Sequence, residues 1–297
     1  MNKSIYITGS SGFVGKYITC NLLNYNYIFH NRNTKAIINE NVLLNLAGKA
    51  HDILNASNSS KYYEANTEFT KNIFDIFLES KAEVFITLSS VKAVADKLDC
   101  TLTEVYIPNP ITHYGKSKLL AEQYIFGKEI PEGKRVYILR PCMIHGPGNK
   151  GNLNLLYKLA SKEIPWPLGA FENKRSFCSI DNLIYIIKEL IEREDIPSGV
   201  YNVADDEPLS TNDVISILAE SQNKKAMIWK VSKVLIQSLA KLGDVLRLPL
   251  TTERLQKLTE SYVVSNQKIK SAIGKNLQVS ARDGLLKTFN SFHTNAK

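Results

Sequence analysis

The sequence predicts an α/β chain, a parallel sheet wound with helices on both faces, followed by a smaller and mostly helical C-terminal lobe. Three observations predict it. Short apolar runs alternate with helical patterns from the first residue, a glycine loop separates the first run from the first helix, and after Pro141 this alternation breaks into a Gly- and Pro-rich stretch. The chain has 297 residues, 44% hydrophobic and 22% charged, an ordinary globular mixture. No window approaches the ~20 unbroken apolar residues of a membrane span. The glycine loop begins by Gly9, which leaves no room for the apolar core of a signal peptide. Cys20, Cys100, Cys142 and Cys178 lie far apart with no CxxC pair. They are expected as free thiols in the cytoplasm, with no metal site.

Element by element, Ser4–Thr8 (SIYIT) reads as a buried strand and residues 14–23 as a helix. Strands follow at 27–30 and 42–47. Phe69, Ile73, Phe74, Ile76 and Phe77 give residues 64–80 a helical spacing. A strand at 84–88, a helix at 115–126 and a strand at 136–139 complete the first half. After Pro141, Gly146, Pro147, Gly148, Gly151, Pro165, Pro167 and Gly169 punctuate a loop-rich stretch with one short helix. A helix at 181–194, a strand at 199–204 and helices at 211–220 and 231–246 follow. The expected division is residues 1–148 and 149–297, with segments near 176–205 returning to the sheet.

The net charge of +8 is uneven. Residues 224–297 hold 14 Lys and Arg against 4 Asp and Glu, so the rest of the chain sums to −2. A basic quarter of this kind suits a solvated surface, a phosphate-bearing substrate or an acidic membrane face. No nucleic-acid-binding module is recognisable, so no nucleic-acid partner is expected. Residues 229–248 pair an apolar stripe with Lys230, Lys233, Lys241 and Arg247 on other faces, a pattern that permits peripheral membrane contact.

Thr8-Gly9-Ser10-Ser11-Gly12-Phe13-Val14-Gly15 follows the first strand and opens the first helix. In that context three glycines allow a tight turn and close backbone approach to a pyrophosphate, with the helix N-terminus offering free amides. The loop therefore predicts dinucleotide binding. A carboxylate usually ends the second strand to hold the ribose hydroxyls. Here Phe29-His30-Asn31-Arg32 stands there, and Arg32 suits a 2′-phosphate, which favours NADP over NAD. Only nine residues, 32–40, then precede Asn41. That is too short for a helical crossover, so a third strand and its helix are expected to be missing.

Tyr114 and Lys118 lie four apart in HYGKSKLLAEQ, on one helical face, and Ser90 ends the strand FITLSS. A free tyrosine has pKa ~10 and is a poor base at neutral pH. A neighbouring ammonium is expected to lower it, so that the hydroxyl can exchange a proton with a sugar oxygen that Ser90 also holds.

With these motifs the chain resembles the extended short-chain dehydrogenase/reductases, the NAD-dependent epimerase/dehydratase family. The resemblance runs through TGSSGFVG, LNLAGKAHD, Asn66, TLSSVKAV, YGKSK, LRPCMIHGPGNKGN, RSFCSIDNL and GVYNVADDEPLST, and it implies a Rossmann fold. It is strongest with the branch that makes N-acetylated 6-deoxyhexoses for bacterial surface polysaccharides. By this resemblance Ser90, Tyr114 and Lys118 are the catalytic set. Gly9, Gly12, Phe13, Val14, Gly15, Leu46, Ala47, Lys49, Lys118, Pro141, Cys142 and Met143 line the cofactor. Lys150, Gly151 and Asn152 meet the UDP-sugar, and Arg175 grips its diphosphate, with Arg254 as a second such arginine. The resemblance also implies a homodimer formed through the helices at 64–80 and 115–126.

Val91-Lys92 follow the catalytic serine where the family's dehydratases have Asp-Glu, so dehydration is not expected. The short crossover and the missing carboxylate tilt the expectation toward reduction of a 4-keto-6-deoxy-N-acetylhexosamine. A UDP-glucose or UDP-N-acetylglucosamine 4-epimerase is the alternative, and a non-catalytic dinucleotide-binding regulator a further one. His51 and His145 are expected to pack rather than to react.

Overall fold

The computed structural model describes residues 3–31, 36–50, 59–149, 153–154, 156–157, 165–248 and 250–294. The chain divides into two compact units. The first comprises Met1–Cys142, Asn182–Ala204 and Ser265–Leu277, and the second Met143–Asp181, Asp205–Val264 and Gln278–Lys297. Strands among the described residues are β1 (Ser4–Thr8), β2 (Asn26–Phe29), β3 (Val42–Asn45), β4 (Val84–Leu88), β5 (Arg135–Pro141), β6 (Met143–His145), β7 (Phe177–Ser179) and β8 (Gly199–Val203). Longer helices are α1 (Phe13–Asn21), α2 (Phe69–Glu79), α3 (His113–Phe126), α4 (Ile180–Glu192), α5 (Thr211–Ser221), α6 (Lys233–Leu246), α7 (Thr252–Thr259), α8 (Gln267–Ile273) and α9 (Ala281–Thr294).

In the first unit six parallel strands run in the order β2-β1-β3-β4-β5-β8. Their near-continuous apolar runs suit a parallel sheet covered on both faces; every residue of β3 is buried, for example. β2 is the exception, with Ile28 and Phe29 half exposed. The crossover from β2 to β3 explains this. Ala36 and Ile38 are buried while Ile37 points out, the period of extended chain. They pack with Leu43, Ile73 and Phe74 on a face that a longer crossover covers with a helix. Among the described residues the outer strand of the six-strand dinucleotide-binding order is absent, and β2 becomes the edge.

Three phenylalanines meet in the core of this unit. Phe74, Phe77 and Phe85 stand with ring centroids 5.0 to 5.9 Å apart. Below them the Lys134 ammonium donates to the carbonyls of Phe77, Ser80 and Ala82 at 3.1, 2.8 and 2.6 Å, a cation set on carbonyls at and just beyond the C-terminal end of α2.

The second unit holds the short parallel pair β6–β7 and two apolar clusters. One gathers Phe177, Leu218, Leu285 and Phe289, the other Trp166, Ile215, Ala240 and Leu255. β6, β7, α7, α8 and α9 have no counterpart in the sequence expectations. The helix expected over 64–80 differs too: Tyr63–Glu68 is π-helical and only Phe69–Glu79 is α-helical.

Phe85→Ala should cost about 3–5 kcal/mol in urea unfolding, as for a large aromatic deleted from a packed core. Phe29→Ala on the exposed edge should stay within about 0.5 kcal/mol. Equal losses would mean the core is misplaced.

Candidate active site

The C-terminal ends of β1, β3 and β4 are tied together by buried polar side chains. Thr8 Oγ1 donates to Asn45 Oδ1 at 2.6 Å, and Asn45 Nδ2 donates to Thr70 and Thr87 hydroxyls at 3.2 and 3.1 Å. Thr8 Oγ1 also accepts the Ala47 amide at 3.2 Å. This fixes where the following loops leave the sheet.

The first of those loops is the glycine loop. Gly9 has φ +69°, and a Cβ there would stand 2.6 Å from the Ala47 nitrogen. At Gly15 a Cβ would come 2.4 Å from the Gly9 carbonyl. Only glycines let the loop fold this tightly against the segment Leu46-Ala47. α1 starts at Phe13 after Gly12, with no side chain capping it, so first-turn amides of Phe13, Val14 and Gly15 remain available to an anion. The cradle fits a dinucleotide pyrophosphate.

A second constraint brings Tyr114 to Ser90. Asp96 accepts the amides of Ile111 and Thr112 at 2.7 and 3.1 Å, and Thr112 caps α3 through the Gly115 amide at 3.2 Å. The helix start is pressed against the segment after Ser90. A Cβ at Gly115 would lie 2.3 Å from the Lys92 carbonyl, so a larger residue there would push Tyr114 away. The Ser90 hydroxyl accepts the Lys92 amide at 3.2 Å and is a hydrogen-bonding neighbour of the Tyr114 hydroxyl.

Lys118, one turn along, is buried and donates to the Leu88 carbonyl at 2.8 Å. A Cβ at Gly48 would stand 3.0 Å from Lys118 Nζ and 2.9 Å from Asn66 Oδ1. Asn66, fully buried in the π-helical turn, accepts the Lys49 amide at 2.8 Å and donates to the Lys49 carbonyl and the Ser117 hydroxyl at 3.0 and 2.9 Å. π-helical turns of this kind recur at functional sites. Here the turn aims one amide side chain at two segments of the site. Tyr62 meets the Tyr114 ring edge-on at 6.3 Å, with Lys49 Nζ 5.3 Å from the Tyr62 centroid.

Beneath Lys118 lies a buried ion pair. Arg140 reaches Glu122 with Nε at 3.0 and 3.2 Å and Nη2 at 2.5 Å, and Ser89 donates to the same carboxylate. Sequence reasoning missed Glu122, Arg140, Gly48, Gly115 and Tyr62. Glu122 stands four residues after Lys118, the one local signal that was available.

The electrostatics correct one expectation. Burial pushes the Tyr114 pKa up, Ser90 opposes this through its hydrogen bond, and Tyr62 adds to the rise. Lys118 was expected to lower it. Burial instead draws Lys118 itself down to about 8, with Glu122 opposing. Desolvation is the largest influence on each group, Lys118 being buried and Tyr114 partly so.

Of the other expected site residues, Pro141 ends β5 and Cys142 donates its amide to Val203, while Met143 opens β6 in the second unit. In that unit Arg175 pairs with Glu260 at 3.2 Å, and burial lowers its pKa against Glu260's pull. Arg254 is exposed in the first turn of α7. His145 is buried with Nδ1 2.9 Å from the Thr288 hydroxyl. Arg32, His51, Lys150, Gly151 and Asn152 lie outside the described residues.

Residues 33–204 match the model of the NAD dependent epimerase/dehydratase family; the glycine loop lies before that match. The chain is 31% identical to a UDP-glucose 4-epimerase of Vibrio cholerae over 253 residues, 75% of this chain and 77% of that protein. It is 27% identical to an N-acetyl-alpha-D-glucosaminyl-diphospho-ditrans,octacis-undecaprenol 4-epimerase of Escherichia coli O157:H7, over 76% of this chain and 74% of that one. Among solved structures, MoeE5 in complex with UDP-glucose and NAD superposes with a TM-score of 0.75, at 17% identity, covering 99% of this chain and 100% of that one. RMD from Pseudomonas aeruginosa complexed with NADPH gives 0.73 at 18%, covering 98% and 99%. At these identities the two structures share the fold.

Lys118 holds its proton less firmly in the folded than in the unfolded chain. Folding therefore carries the cost of burying its charge below about pH 8, and that cost fades as pH rises toward 10.5, where the unfolded lysine also titrates. Lys118→Met should raise the thermal midpoint at pH 7, and the gain should shrink as pH approaches 10.5. A gain that grows with pH would contradict the assigned burial.

Proposed function

The chain belongs to the NAD dependent epimerase/dehydratase family, and from that premise we propose that it interconverts alcohol and ketone at carbon 4 of a diphosphate-linked hexose, with 4-epimerisation as the net reaction. The observation behind this reading is the convergence of Ser90, Tyr114 and Lys118 at the C-terminal rim of the sheet. The net reaction follows the two relatives named above, both 4-epimerases.

In this reading the Tyr114 hydroxyl exchanges a proton with the oxygen on carbon 4. Ser90 hydrogen-bonds that same oxygen and keeps it within reach of Tyr114. Lys118 holds the nicotinamide ribose and, when protonated, favours the phenolate form. A bound nicotinamide dinucleotide supplies hydride acceptance and return at the carbon; the first-turn amides of α1 hold its pyrophosphate, with Leu46, Ala47 and Lys49 beside it. Arg175 turns its guanidinium from Glu260 to the substrate diphosphate, which a planar fork binds in pairs. UDP is the proposed carrier, and a homodimer formed through α2 and α3 is part of the same proposal.

Reduction of a 4-keto sugar is the second reading, and two observations favour it. Burial keeps Tyr114 protonated, the form that donates to a developing alkoxide. The absence of a carboxylate at the end of β2 points the same way, toward an exchangeable NADPH.

Tyr114→Phe should reduce turnover of UDP-hexoses by about 10²- to 10⁴-fold while dinucleotide binding survives. A rate within a few-fold of wild type would remove the catalytic assignment. Mass spectrometry of nucleotide released on denaturation separates the two readings: retained NAD near one per chain supports the epimerase, and an empty site preferring NADPH to NADH supports the reductase.

A further inference from the structure

We propose that the outward face of α6, with the segment leading into it, is a docking surface for an anionic lipid bilayer. The starting observation is where apolar side chains are left in water. Among the described residues nineteen large hydrophobic side chains are exposed, and nine of them fall within residues 227–248. Exposed apolar clusters of this kind mark interaction sites.

The face is not a core helix left uncovered. α6 already buries one side in the second unit, through Ile236, Ala240 and Gly243. Ile236 and Ala240 pack with Trp166, Leu168 and Leu255. At Gly243 a Cβ would come 1.8 Å from the Leu250 carbonyl, so the helix is held close by its small residues. Its leucines lie about a quarter-turn around the helix and stay exposed. Leu235, Leu239, Leu242 and Leu246 recur at i, i+4, i+7 and i+11, each between 46 and 58% exposed, forming a continuous stripe. Trp229, 59% exposed, lies just ahead of the helix, a side chain suited to the headgroup boundary.

Charge selects the occupant. Residues 224–248 contain Lys224, Lys225, Lys230, Lys233, Lys241 and Arg247 against a single acid, Asp244, a net +5. Asp244 is already engaged by the Thr252 amide at 3.0 Å and by its hydroxyl. A second copy placed on this face would set +5 against +5. An anionic bilayer offers the opposite sign beside an apolar interior, and each surface cation adds to the attraction. No described helix is long and apolar enough to cross a membrane; α6 lies in the interface plane, its leucines among the acyl chains. The surface is independent of the reading of the active site.

The test is flotation of the full chain with vesicles of phosphatidylglycerol and phosphatidylethanolamine, and with vesicles of phosphatidylcholine alone. The wild type is expected to float with the first and to stay below with the second. Leu239→Glu and Leu242→Glu, and separately Lys230→Glu with Lys241→Glu, should each weaken vesicle binding by about tenfold or more. Thermal midpoint and turnover of a water-soluble nucleotide sugar should remain at wild-type values. Wild-type protein that ignores anionic vesicles overturns the proposal, as do variants that float like wild type. Leucine variants that turn a dimer into a monomer on gel filtration, without vesicle binding by the wild type, overturn it in favour of a second copy.

Discussion

The buried pairing of Glu122 with Arg140 sets the geometry on which the rest of the site depends. Glu122 projects from the second half of α3 and Arg140 from β5, so the pair ties the helix to the sheet at a fixed height, and Ser89, just past the end of β4, adds a further hydrogen bond. Both charges are nearly withdrawn from water. An ion pair in that position gives little net stability over an apolar substitute, yet losing one partner leaves a lone buried charge at a cost of about 3–5 kcal/mol. Its contribution is placement. With the second half of α3 tied to β5 and the helix start held by Asp96, Tyr114 has one position relative to Ser90.

The same logic runs through the neutral groups. Asn45 spends its amide on β1, β4 and α2, and Asn66 on two segments of the site, all through buried or partly buried bonds. Buried polar groups need partners, so a side chain of this kind specifies its surroundings more narrowly than a leucine in the same place. The π-helical turn at Tyr63–Glu68 belongs to this economy of positions: it departs from α-helical hydrogen bonding just where Asn66 and Thr67 reach across to Ser117.

Much of this was legible in the residues. The glycine loop was readable because it stands between a strand and a helix, and Tyr114 with Lys118 because helical spacing places them on one face. The shortened crossover could be counted. What could not be read was whatever depends on distant pairing. Arg140 looks like any arginine in a strand until Glu122 is placed beside it. β6 and β7 span three residues each, too few for a period, and α7 is strongly polar on most of its surface. The ionisation of Tyr114 was misjudged because spacing reports the neighbouring ammonium while burial, the larger influence, is a property of the folded chain.

The division of the chain has a consequence for synthesis. Residues of the second unit interrupt the first twice, and Ser265–Leu277, close to the C-terminus, belongs to the first. β5 takes its outer neighbour from β8, about sixty residues further on, so a growing chain presents an unpaired strand edge while those residues are made. Neither unit can be completed on the ribosome before the other is largely translated. The two halves of this enzyme are therefore born together, and truncation anywhere before the last helices leaves both unfinished.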